Sequence, residues 1–184
     1  MDLLIHTRRS ALWLAAAAVA AFASSALAQQ AAEAAVKAAF LYKFAGYVEW
    51  PDSALLPSEA PFTIGIIGAD DVAAELDRLV PGRTVLNRRV VVRRVKEGEG
   101  LKGVHLLFIG RGEANPRALL RAAQQQGTLA VTESERGFEL GSAINFVTLD
   151  DRIGFEVSLE SAEKSGLRIS SRMLAVARRV VARQ

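Results

Sequence analysis

The sequence predicts an α/β fold: a single three-layer sandwich with a mostly parallel central sheet, closed by a C-terminal hairpin and helix. Three observations carry this. Residues 62–68, FTIGIIG, are a short apolar run ending in Gly68 and followed at once by a helix-like segment, the opening of a strand–turn–helix unit. Residues 104–110, VHLLFIG, are apolar but for His105, as a strand covered on both faces must be. Residues 142–179 hold two alternating apolar runs and then a basic amphipathic segment.

The N-terminus stands outside that fold. Arg8 and Arg9 precede an apolar run from Ala11 to Ala23, and Ala26-Leu27-Ala28 fits an A-x-A cleavage site. Residues 1–28 therefore read as a secretory signal peptide, too short and Ala-rich for a membrane span. Thr7-Arg8-Arg9-Ser10-Ala11-Leu12 approaches the twin-arginine pattern, but Ala11 stands where a bulky apolar residue is usual. Cleavage after Ala28 leaves residues 29–184 as one domain. It removes Asp2, Arg8 and Arg9, taking 23 basic and 20 acidic residues to 21 and 19. So small an excess, with no Lys/Arg block, argues against a nucleic-acid partner. The 51% hydrophobic content is ample for a core. There is no cysteine, which excludes disulfides, thiol chemistry and Cys-bound zinc.

Residues 33–47 read as a helix with Phe40, Phe44, Tyr47 and Val48 on one side and Lys37 interrupting the stripe. Pro51 closes it, because the residue before proline avoids helical backbone. Trp50 has two readings: a core plug or lid over the sheet edge, and the wall of a ligand pocket. A polar loop, 52–61, leads to the 62–68 strand and a helix over 71–79. Gly65-x-x-Gly68 is not G-x-G-x-x-G, and Asp70-Asp71 would repel a pyrophosphate, so these aspartates are expected to cap the helix rather than face a nucleotide.

Pro81-Gly82 makes a turn before a strand at 88–95, RRVVVRRV. Its arginines either sit in solvent protecting a sheet edge or form a basic rim for an anion. After the 104–110 strand, Asn115 and Pro116 fit the N-cap and first position of a helix ending near Gly127. Residues 128–132 form the next strand and 137–141 a turn. Asp150-Asp151 then turns a hairpin between 144–149 and 153–159. Residues 160–166 are a polar connection. Ser170 or Ser171 caps a final helix with Met173, Leu174, Ala177, Val180 and Val181 inward and Arg172, Arg179 and Arg183 outward.

Catalytic chemistry has little to work with. His6 leaves with the signal peptide, and a Ser-His-Asp triad would depend wholly on His105. One histidine and no cysteine make a poor zinc site. Glu133 and Glu135, or Asp150 and Asp151, lie in turns where solvated charge is the rule. No enzymatic activity, metal or cofactor is expected. One crevice remains: Arg111 and Gly112 follow the 104–110 strand, and the helix starting at Asn115 offers free N–H groups to an anion. Asn145, inside an apolar strand, needs hydrogen-bond partners. Arg172 is placed to pair with Glu156 and lock hairpin to helix.

Two blocks carry a family resemblance. The first is Lys37-Ala38-Ala39-Phe40-Leu41-Tyr42-Lys43-Phe44 with Val48-Glu49-Trp50-Pro51. The second is Gly141-x-x-Ile144-Asn145-Phe146-Val147, then Arg152-x-x-Phe155-Glu156-Val157-x-Leu159, then Gly166-Leu167-Arg168-Ile169-Ser170-Ser171-Arg172-Met173-Leu174. Together they resemble the YfiR-like periplasmic proteins. That resemblance implies a periplasmic negative regulator that restrains a membrane-bound diguanylate cyclase through the cyclase's periplasmic sensory part. It also implies relief by an outer-membrane lipoprotein and a homodimer. Such relatives often carry cysteine pairs, so a disulfide-linked or redox-sensing role has no residues to rest on here. Lys43, Arg172 and Arg179 are the candidate partner contacts. The alternative is a periplasmic small-molecule binding or sensing protein whose pocket involves Trp50, Arg111 or Arg172. A hydrolase centred on His105 is a third class.

Overall fold

The computed structural model describes residues 28–57, 59–150 and 152–182. Residues 1–27 of the expected signal peptide, Asp151 of the hairpin turn and Arg183 fall outside the described residues. The chain divides into two compact units, residues 1–34 and 35–184. Residues 28–47 are helical (α1), with 28–34 in the first unit and 35–47 opening the second.

Within the second unit, β1 (Val48–Glu49), β2 (Phe62–Ile67), α2 (Asp70–Leu79), β3 (Thr84–Val85), β4 (Arg88–Arg94), β5 (Leu106–Ile109), α3 (Pro116–Gln125) and β6 (Leu129–Thr132) follow in order. Then come β7 (Ile144–Leu149), β8 (Arg152–Ser158), α4 (Leu159–Lys164), β9 (Arg168–Ile169), α5 (Ser171–Leu174) and β10 (Arg179–Val181). Eight strands form one sheet in the order β10-β8-β7-β6-β5-β2-β4-β3. The five in its middle, β7, β6, β5, β2 and β4, run parallel. The predicted α/β sandwich with its mostly parallel sheet is the fold observed.

Period-two alternation along β5 explains the layering. Leu107 and Ile109 pack with Ile67, Val104, Leu120 and Ala123, so α3 covers that face. Phe108 points the other way, its ring 5.7 Å from Phe146. Phe44 lies 5.8 Å from Phe146 and 4.8 Å from Phe155, which sets α1 against the opposite face. Each such aromatic pair adds about 0.5–1.5 kcal/mol to the burial itself. Ala38, Leu41, Phe44 and Ala45 form the inward stripe of α1 at helical spacing, and Tyr47, expected on that stripe, is 41% exposed.

Several expectations need correction. Asp70 and Asp71 lie inside the first turn of α2, not at its cap; Ala69 holds that position, and Asp71 Oδ1 accepts from the Val72 N–H at 2.8 Å. Strand β4 is bordered by β3 only at its first two residues, Arg88 and Arg89, where Leu86 and Asn87, with φ of 51° and 62°, turn the chain out of β3 and back along it. Its arginines mostly serve the fold: the Arg88 guanidinium donates to the carbonyls of Leu55, Pro57 and Ala60. The polar connection after β8 is helical, α4, capped by Ser158, whose Oγ accepts from the Ser161 N–H at 3.3 Å.

The largest departure is at the C-terminus. Ser170 caps α5 as expected, but that helix is one turn, not a long amphipathic one. Arg178 N–H donates to Phe155 O at 2.9 Å, and residues 179–181 join the sheet beside β8 in parallel register. Arg179-Val180-Val181 is β-branched where it matters, and an open edge of β8 offers backbone partners that an isolated helix end does not.

Candidate functional site

The strand order reverses between β2 and β5, which is where an α/β sheet ordinarily leaves a crevice. Here the backbone fills it. Gly110 N–H donates to Ile67 O at 2.8 Å and Gly112 N–H to Gly68 O at 3.2 Å. A Cβ on Gly110 would lie 2.3 Å from Gly68 O, so only glycine permits this approach. The opening is displaced along the sheet. A cleft of about 710 Å³ lies beyond the carboxyl ends of β5, β6 and β7, with Arg111, Glu133, Ser134, Asn145, Phe146 and Thr148 among its walls.

Glu133, just past β6, is the buried charge of this cleft. Its side chain is 8% exposed and ion-paired with Lys37 of α1, also 8% exposed. The expectation that Glu133 sits solvated in a turn is therefore overturned. Glu133 Oε1 also accepts from the Arg111 N–H at 3.1 Å, and Arg111 Nε stands 3.8 Å from Oε2. A buried carboxylate is tolerated only when paired and hydrogen-bonded, and both conditions are met.

Asn145 has the partners its burial demanded. Its Oδ1 accepts from Thr132 Oγ1 at 2.8 Å and from the Ser134 N–H at 3.0 Å. These bonds tie β7 to the end of β6 and to the segment that follows it. Beside them, Pro116 at the start of α3 lines the cleft; Asn115 holds the N-cap position without a side-chain cap bond.

The residues singled out from sequence do not form one site. Arg111 is in the cleft. Trp50 is a plug, 9% exposed, its Nε1 donating to Ala45 O at 3.1 Å and its ring edge-on to Phe62 at 5.2 Å. Arg172 is exposed on α5, and Lys43 is exposed on α1. The Ser170 N–H donates to Tyr47 O at 3.0 Å, which brings the start of α5 to the end of α1, one turn beyond Lys43. Arg179 lies on the sheet edge instead and takes the partner expected for Arg172: its Nε and Nη2 donate to Glu156 at 2.9 and 2.7 Å. The reason is the β8–β10 pairing, which sets Arg179 directly opposite Glu156. The Glu156 carboxylate raises the already high pKa of Arg179.

His105 is not arranged for catalysis. Its Nδ1 accepts from the Thr63 N–H at 3.1 Å, and its ring stacks on Phe62 at 4.7 Å. Burial lowers its pKa, and the Arg88 charge adds to that, against a hydrogen bond with the Ala54 backbone. The groups that sequence reasoning missed are Lys37 and its pairing with Glu133. A lysine within a buried helical stripe signals a hidden partner, but nothing in the sequence names a carboxylate 96 residues away.

Among the described residues, no cluster of His, Asp and Glu is fit to hold a metal ion, and no helix is long and apolar enough to cross a membrane. No curated protein matches the chain. Residues 34–178, which include both motif blocks and every element from β1 to α5, match the YfiR/HmsC-like family. The chain belongs to the YfiR/HmsC-like family.

Proposed function

We propose that this protein is a periplasmic negative regulator that binds the periplasmic sensory part of a membrane-bound diguanylate cyclase and holds cyclic-di-GMP low. The observation that carries the reading is the family match over residues 34–178. On this reading residues 1–28 are the signal peptide, and 29–184 form the exported, non-catalytic domain. An outer-membrane lipoprotein relieves the restraint, and the working form is a homodimer.

The contact surface we favour is the α1–α5 junction. Lys43 and Arg172 are exposed there, and Tyr47, one turn after Lys43 and 41% exposed, adds an aromatic side chain. Arg179 is a peripheral contact at most, because Glu156 already takes its guanidinium. Titration of the purified protein with the periplasmic part of a cyclase from the same host tests this directly. Saturable binding, weakened about tenfold or more by a Lys43→Glu/Arg172→Glu double substitution, is the expected result. Binding indifferent to the double substitution would move the surface elsewhere, and no binding to any such cyclase would remove the reading. A small-molecule binding role is the second reading, favoured by the open cleft at Arg111.

A further inference from the structure

We propose that the cleft beyond β5, β6 and β7 binds a small organic monocarboxylate, its carboxylate held between the Arg111 guanidinium and the side-chain amide of Asn145. The site stands whether or not the chain restrains a cyclase.

The argument begins with Asn145. Its orientation is fixed chemically, because the Ser134 N–H only donates, so the atom facing it is Oδ1. The Nδ2 group is then directed away, with neither of its N–H donors taken up by the protein. The residue is only 6% exposed, and it lines the cleft. Nδ2 is not sealed from solvent, so it is a donor at the cleft surface that an entering acceptor can reach. A ligand oxygen in the cleft is that acceptor.

The charges around it favour an anion, but a modest one. The buried carboxylate, Glu133, is neutralised by Lys37 and occupied by the Arg111 N–H. The Arg111 side chain is 68% exposed and approaches Glu133 only through Nε at 3.8 Å, leaving the outer edge of its fork to a carboxylate. The ten-residue helix α3 starts at the same wall, but Glu113 Oε1 already accepts from the Asn115 N–H there at 2.8 Å, so Arg111 is left as the anion-attracting group. Against this, Glu113 and Glu135 also line the cleft, so a doubly charged phosphate is repelled where a single carboxylate is not. Ile109, Phe146 and Val147 supply an apolar surface for an organic body. The volume is within the range of about 300–1,000 Å³ common to small-molecule sites.

The test is calorimetric titration of the purified protein with a panel of monocarboxylates, from acetate to benzoate and short hydroxy acids, alongside their methyl esters and inorganic phosphate. At least one acid is expected to bind saturably and shift the Asn145 side-chain amide resonance, while its ester does not. Arg111→Ala, at an exposed position, is expected to fold normally and weaken binding about tenfold or more. Asn145→Asp, which sets a negative charge against the ligand, is expected to abolish it. Three results would each overturn the proposal: no acid binding saturably up to about 50 mM, phosphate binding as well as the best acid, or affinity unchanged in Arg111→Ala.

Discussion

Arg179 and Glu156 face each other across the β8–β10 pair, the two guanidinium donors meeting the two carboxylate oxygens at 2.9 and 2.7 Å. The arginine side chain is 59% exposed and the carboxylate 18%, so solvent screens much of the attraction. The pair holds the last strand in register more than it stabilises the whole. Arg179→Ala is expected to cost no more than about 1 kcal/mol in global unfolding. Amide exchange at Val180 and Val181 is expected to rise well beyond that of β7. Arg172→Ala is expected to leave both quantities unchanged.

The Lys37–Glu133 pair predicts the opposite scale. Both side chains are almost wholly buried, so removing Lys37 leaves the Glu133 charge with only the Arg111 N–H and the more distant Arg111 Nε to compensate it. Lys37→Met is expected to destabilise the protein by about 3–5 kcal/mol, and the double variant Lys37→Met/Glu133→Leu by much less. Denaturant unfolding of the three proteins checks this; a double variant worse than the single would contradict it.

His105 sets a pH dependence. Protonation at Nδ1 would break its bond with the Thr63 N–H, and burial and Arg88 oppose the charge, so its folded pKa lies below the ordinary value. The unfolded chain then takes up the proton first. Stability from this group is complete above about pH 6.5 and is lost as pH falls from there through the lowered folded pKa, with a slope of at most about 1.4 kcal/mol per pH unit. His105→Gln is expected to flatten that part of the curve measured by urea unfolding between pH 7 and pH 5.

Gly110 predicts a steric failure. An added methyl would meet Gly68 O at 2.3 Å and the Ala69 Cβ at 2.6 Å, both held by the β2–β5 pairing. Gly110→Ala is expected to lower stability by about 1–3 kcal/mol. Gly46→Ala, in α1 with nothing within 4 Å, is expected to be neutral or stabilising by up to about 1 kcal/mol. Thermal unfolding of the two variants side by side separates packing from propensity.

The longer strands were legible because apolar runs such as LLFI in β5 and the alternation in β7 and β8 are local signals, whereas the two-residue strands β1, β3 and β9 carry no such pattern. The C-terminal helix was misread for a physical reason: Met173, Leu174, Ala177, Val180 and Val181 fit a helical stripe and an edge strand alike. The open backbone of β8, a tertiary feature, decided between them. The cleft was half legible. Arg111 follows from the rule that loops after parallel strands carry sites, and the need for partners at Asn145 follows from its burial in an apolar run. Glu133 was not, because a carboxylate in a turn looks solvated until α1 is docked over it with Lys37.

The central claim is that this protein, once exported, restrains a diguanylate cyclase. It is tested most directly by measuring cyclic-di-GMP in host cells lacking the gene, complemented with the full chain or with a version lacking residues 1–28. The account predicts that deletion raises cyclic-di-GMP and that only the full, exported chain brings it back down. Unchanged cyclic-di-GMP on deletion in cells that express a candidate cyclase, or equal complementation by the version without residues 1–28, would contradict it.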